Sequence, residues 1–131
     1  MIDEAINLVR EFHILAEQPV AEYPRFLESE RVRIRAKWIV QEIDELCEAK
    51  SVYQQADAAM DILYYLLGVF VEMGISADKL FYIIHEANLR KLTMADCIIK
   101  DDELKVQKPN NWKHPDELVK KAVDQMIDEK I

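Results

Sequence analysis

Between Ala58 and Val71 the chain reads AAMDILYYLLGVFV, and Asp61 is the only charged residue in that run. An unpaired carboxylate is among the most costly groups to bury. The run therefore demands a fold that covers its apolar side chains and also gives Asp61 something to face. Past Asp61 the uncharged stretch is only Ile62 to Val71, too short for a bilayer, which needs about 18 or more apolar residues. A buried helix in a water-facing fold is the expectation.

The rest of the chain agrees with helix. It has two glycines and four prolines against 25 acidic and 17 basic residues, and Ala, Leu, Glu, Lys, Ile and Met are abundant, the composition of an all-α protein. At 131 residues it fits one domain, 1–131, with no internal boundary expected. Apolar spacing predicts a first helix over Ile2 to Glu17 with Ile6, Val9, Phe12 and Leu15 or Ala16 on one side. A second is capped by Ser29 and runs to about Lys50, with Val32, Ala36, Ile39, Ile43 and Leu46 facing the core. The third, Val52 to Met73, stops at Gly74 and should be the buried centre. A fourth, from Ser76 or Asp78 to about Leu92, carries Leu80, Phe81, Ile84, Ala87 and Leu92. Asp96 to Pro115 is irregular, with IIKDDELKV as two short extended pieces about an acidic turn, and a last helix starts at Asp116. The sum is an antiparallel bundle of four to five helices.

Several classes are set aside. A net charge of -8 argues against nucleic acid as the main partner, because that binding rests on clustered Lys and Arg. Arg31, Arg33, Arg35 and Lys37 are a local exception that could equally be one solvated helix face. Cys47 and Cys97 form no CxxC pair, so neither zinc nor a disulfide framework is indicated and a reducing, cytoplasmic setting is the simpler reading. The acidic start MIDEAINLVREF is not that of a signal peptide, and no membrane partner is expected. Two glycines rule out a Gly-rich phosphate loop.

The acids themselves are arranged for chemistry. Glu42 and Glu45 project from neighbouring points of the second helix, beside its apolar stripe. Asp57 and Asp61 stack one turn apart on the third, in line with Tyr64, which could donate to a carboxylate, and Gly68, which would admit a backbone or ligand. If the two helices form a hairpin about Ser51, the four carboxylates converge. They would repel unless neutralised. Hard oxygen donors without His or Cys suit Mg2+, with Mn2+ possible, whereas a solvated E-x-x-E face is the plain alternative. A di-iron site needs E-x-x-H, and none of His13, His85 or His114 has a Glu three residues before it.

E-x-x-E on one helix, an acidic pair ending in Asp on the next and Asn88-x-x-Lys91 on a fourth resemble the MazG-like all-α nucleoside triphosphate pyrophosphohydrolases. The FHILAEQPV segment, D-x-x-x-D-x-L-Y-Y, ANLRKL and KVQKPNNW-x-x-P are most similar to the phosphoribosyl-ATP pyrophosphohydrolase-like subgroup, from about Phe12 to Asp116. The resemblance implies magnesium on Glu42, Glu45 and Asp61, and contact of Asn88 and Lys91 with substrate phosphates or sugar. It also implies a dimer or a dimer of dimers. The family's second motif is E-x-x-D, but Ala58 stands three before Asp61, so Asp57 would serve instead.

The implied reaction is hydrolysis of a (d)NTP or related nucleotide between its α and β phosphates, in nucleotide-pool housecleaning. Glu42, Glu45, Asp57 and Asp61 would hold cations, Glu42 would orient or deprotonate water, and Lys91 would serve the leaving side. Lys105 and Lys108, on the late loop, could close over phosphates or be merely solvated. Phe12, His13, Trp38 and Trp112 are candidates to stack on a base, with packing as the commoner role. The alternatives are the phosphoribosyl-ATP pyrophosphohydrolase of histidine biosynthesis, or a non-catalytic helical oligomer in which Ala58 marks a lost site.

Overall fold

The computed structural model describes residues 1–94 and 98–130. They fold into α1 (Ile2–Leu15), α2 (Ser29–Glu48), α3 (Val52–Met73), α4 (Asp78–Thr93) and α5 (Asp116–Lys130), with no strand among the described residues. The protein is all-α. It divides into two compact units, Met1–Ser76 and Ala77–Glu129. Asp96 and Cys97, named in the sequence reading, lie outside the described residues. Among the described residues, no single helix is long and apolar enough to cross a membrane.

In the first unit, α3 packs against both α1 and α2. The turn between α2 and α3 is fixed by Ser51, whose Oγ accepts from Gln54 N at 3.1 Å, while Gln54 Oε1 accepts from Lys50 N at 2.7 Å. That reciprocal pair works as a capping box does. From this turn α2 and α3 run antiparallel, so Glu42 groups with Asp61 near it and Arg35 meets Glu72 farther away. At its other end α3 stops at Gly74, in the left-handed region at φ 68°, where a Cβ would lie 2.4 Å from the Tyr23 carbonyl oxygen. The close strap of residues 21–25 is the reason: Ala21 N donates to Val71 O and Arg25 N to Met73 O, satisfying carbonyls the helix end leaves open.

Burial corrects several expectations about faces. On α1 the buried line is Ile6, Val9 and His13, while Phe12 and Leu15 are exposed and the helix ends at Leu15. The buried stripe follows steps of three and four to His13, because the His13 Nδ1 bond to Pro19 O lets a polar ring occupy the core. On α2 the fully buried residue is Arg35, and Val32, Ala36 and Ile43 are exposed. Ser29 is the first residue inside α2, and Glu28 holds the cap position without a side-chain bond. On α3 the buried side is Ala58, Leu67, Gly68, Val71 and Glu72, whereas Met60, Leu63, Tyr64 and Leu66 reach the surface, so the helix is not enclosed all round.

The second unit holds α4, the late loop and α5. Lys79 Nζ donates to Gln125 Oε1 at 2.8 Å, tying α4 to α5, and Ala87, Pro115 and Ala122 are buried. Small side chains fill its interior, so Phe81, Ile84 and Leu92, expected as core, are exposed. The acidic turn in the loop forms as expected. Lys100 and Val106 make an antiparallel bridge, and Asp101 Oδ1 accepts from Glu103 N and Lys105 N, both at 2.9 Å.

Candidate active site

Glu42 and Glu45, one turn apart on α2, meet Asp61 of α3 with one oxygen from each within 4.8 Å of the others. The hairpin fixes this register, and the half-buried Asp61 faces carboxylates rather than apolar side chains. A hydrogen bond with Glu45, then burial, then the charges of Glu45, Asp61 and Asp57 hold the Glu42 carboxyl above its usual range. Its Oε2 is buried with no hydrogen-bond partner. An orphaned carboxylate oxygen beside two more carboxylates suits a cation, and the all-oxygen set fits a hard divalent ion such as Mg2+. Asp57 does not join this group of three. It is exposed and lines, with Glu45, Glu48, Gln54 and Ala58, a cavity of about 260 Å³ beside it. Tyr64 makes an edge contact with Phe12 at 5.8 Å, and among the described residues it donates to no carboxylate.

Farther along the same hairpin lies a feature the sequence did not suggest. Glu72, fully buried on α3, accepts from Arg31 Nε at 2.8 Å, Arg31 Nη2 at 3.0 Å and Arg35 Nη1 at 2.9 Å. Burial pushes the Glu72 carboxyl up, but the bonds and charges of Arg31 and Arg35 outweigh it and hold the group low. Arg35 Nη2 also donates to Tyr65 O at 2.7 Å, and the guanidinium lies 5.1 Å from the centroid of Trp38. The basic run of α2 is therefore not one solvated face: Arg31 and Arg35 turn inward, while Arg33 and Lys37 stay exposed. Gly68 admits neither a ligand nor a backbone but this guanidinium, since a Cβ there would lie 1.9 Å from Arg35 Nη2. Trp38 packs on this cluster and on Tyr65, and His13 is 1% exposed, so that ring is closed to a base. An acid in the last turn of a helix and arginines four residues apart were the available signals.

In the second unit, Asn88, Lys91 and Lys108 line one cavity of about 180 Å³ with Trp112. The indole Nε1 donates to Ala87 O at 2.7 Å, and the ammonium groups of Lys91 and Lys108 lie 4.9 and 5.4 Å from the ring centroid. Lys105 is exposed on the loop and outside that lining.

The sequence profile of the phosphoribosyl-ATP pyrophosphohydrolases matches residues 9–88, more than half of the chain. The chain belongs to the phosphoribosyl-ATP pyrophosphohydrolase family. Membership in the phosphoribosyl-ATP pyrophosphohydrolase family carries a pyrophosphohydrolase activity on nucleotides and agrees with the metal-ready carboxylates of the hairpin. No curated protein matches the chain. The matched stretch of this phosphoribosyl-ATP pyrophosphohydrolase family member holds Glu42, Glu45, Asp57, Asp61 and Asn88, whereas Lys91, Lys108 and Trp112 fall beyond it.

Proposed function

We propose that the protein is a divalent-metal-dependent nucleotide pyrophosphohydrolase that cleaves between the α and β phosphates, giving a nucleoside monophosphate and pyrophosphate. The convergence of Glu42, Glu45 and Asp61 around an unpartnered Glu42 oxygen carries the reading. These three carboxylates, with Asp57 beside them, are the proposed holders of Mg2+ or Mn2+. A cation there would supply charge neutralisation at the phosphate oxygens. Glu42 is the proposed base: a water oxygen adds to the α phosphorus, its proton passes to the Glu42 carboxylate, and the bond from that phosphorus to the bridging oxygen breaks, its electrons leaving with pyrophosphate. Asn88, Lys91 and Lys108 are proposed to take substrate phosphate or sugar in the cavity they line.

Two substrate classes fit. A common or non-standard (d)NTP, removed in a housecleaning role in the cytoplasm, agrees with the late KVQKPNNW stretch, which lies beyond the family match. Phosphoribosyl-ATP is favoured by the match itself. The deciding experiment incubates the protein and Mg2+ with each NTP and dNTP and with phosphoribosyl-ATP, resolving monophosphate plus pyrophosphate from diphosphate plus phosphate. Pyrophosphate release that disappears in Glu42→Gln and Asp61→Asn supports the reading and names the substrate. No turnover of any of them would leave the non-catalytic oligomer with Ala58 in the acid's place.

A further inference from the structure

We propose that Trp112 is a positioning residue that gathers Lys91 and Lys108 into a preformed site for a pyrophosphate group. The indole is fixed first: its N–H is spent on the Ala87 carbonyl at 2.7 Å, which pins the late loop to α4. Two ammonium groups then lie 4.9 and 5.4 Å from the centroid of that one ring. Cation–π attraction holds each in place, yet two like charges drawn to one ring also repel each other. An anion between or beside them would relieve that repulsion.

The surroundings point to the same ligand. In a chain with 25 acidic residues, the cavity is lined by Ile84, Ala87, Asn88, Lys91, Lys108, Trp112, His114 and Pro115, with no carboxylate among them. Among the described residues, neither ammonium is paired with an acid, whereas Arg10, Arg31, Arg35 and Lys120 all are. The Asn88 amide adds a neutral donor. Two cations, one amide and an acid-free cavity of about 180 Å³ suit a compact phosphate anion. Lys91, Lys108 and Trp112 lie beyond the matched residues 9–88, whereas Ile84, Ala87 and Asn88 of the same cavity lie within them. The ligand chemistry is a phosphoanhydride, whose source is either the phosphate chain of the nucleotide or the free pyrophosphate product. The inference deepens the function proposed above and rests on it for its substrate, but it fails or stands separately in the following test.

The full-length protein in EDTA is titrated with inorganic pyrophosphate, with orthophosphate, and with a nucleoside monophosphate and triphosphate, by calorimetry and by tryptophan emission. The expected result is saturable binding of one pyrophosphate per chain that alters tryptophan emission in the wild type but not in Trp112→Leu, which retains Trp38, is at least tenfold weaker for orthophosphate, and weakens as salt is raised. Triphosphate binding that pyrophosphate competes away assigns the site to the nucleotide's phosphate chain; binding of pyrophosphate alone assigns it to the product. Lys91→Gln, Lys108→Gln and Trp112→Leu are each expected to lower pyrophosphate affinity about tenfold or more. Trp112→Phe keeps an aromatic face and is expected to recover part of it. Absence of saturable pyrophosphate binding, or binding indifferent to the two lysine variants, overturns the proposal even if the enzyme is active. Equal affinity in Trp112→Leu, folded by circular dichroism, removes Trp112 from the positioning role.

Discussion

Oε2 of Glu42 is a buried acceptor without a donor, and an acceptor left unsatisfied costs the folded state free energy. A cation bound only by the folded state reverses that cost by mass action. At one hundred times its Kd, Mg2+ is expected to stabilise the chain by about 2.7 kcal/mol, on the order of 10 °C in Tm for a domain of this size. Asp61→Asn should abolish the shift, and a magnesium response that survives the substitution would sink the metal assignment. A second residue-scale prediction concerns Gly68. A Cβ at that position collides with the Arg35 guanidinium at 1.9 Å, and the His13 ring stands 3.0 Å away, so Gly68→Ala is expected to shift the guanidinium and strain its bond to Glu72. Disrupting a buried ion pair costs about 3–5 kcal/mol, and urea unfolding of Gly68→Ala should show a loss of that order; a loss below about 1 kcal/mol would mean the guanidinium has somewhere else to go. The two sites differ in how visible they were. Asp61 was legible because one charge in an apolar run is anomalous on its face. Arg35 was not, because an arginine in a basic stretch looks solvated until its partner is known, and Glu72 lies 37 residues away along the chain.

Helix positions follow from local signals, which is why α3 begins after Ser51 and ends at Gly74 as its sequence predicts. Which side of each helix faces inward depends on neighbours, and there the apolar pattern of α2 misled, since a salt-bridged arginine took the buried position. The same cluster makes the packing of α1, α2 and α3 sensitive to acid. Burial, opposed by the Pro19 carbonyl and reinforced by the Arg35 charge, holds His13 below its ordinary pKa of 6.5. The unfolded chain therefore takes up a proton first, so the stability contributed by neutral His13 is fully present above 6.5 and declines as pH falls toward the lower folded value. Glu72 is held below its ordinary 4.5 once Arg31 and Arg35 overcome the burial effect, so its contribution is present above 4.5 and is lost as pH falls farther. Tm measured from pH 8 to about pH 2 should decline in two stages. His13→Gln, which can still donate to Pro19 O, should flatten the first stage and leave the second; a Tm that is flat from pH 7 to pH 5 in the unmodified protein would contradict the role given to His13.

At the scale of the whole molecule, a single sequence shows how much apolar surface must be covered but not whether the cover comes from the same chain. The apolar residues of α2 and α3 divide between the two uses: Leu67 and Val71 are covered within the chain, whereas Val32, Val40 and Ile43 on α2 and Met60, Leu63 and Leu66 on α3 are not. Val40 is 53% and Met60 61% exposed, and residues 32, 36, 40 and 43 recur at the steps that place them along one helix face. Scattered exposed apolar residues are ordinary, but stripes on two adjacent helices of one hairpin are the kind of surface that a partner covers. We therefore propose a homodimer, or a tetramer built from dimers, as the form in which the protein works. Sedimentation equilibrium at micromolar concentration should give at least twice the 15.4 kDa chain mass. Because the proposed partner face lies on the same two helices as Glu42, Glu45 and Asp61, placing charges in the stripes through Val40→Glu with Met60→Glu should yield monomers and also weaken the magnesium-dependent rise in Tm. A wild-type chain that sediments as a monomer would require those stripes to be solvated, and the carboxylate group would then have to hold its cation within one chain.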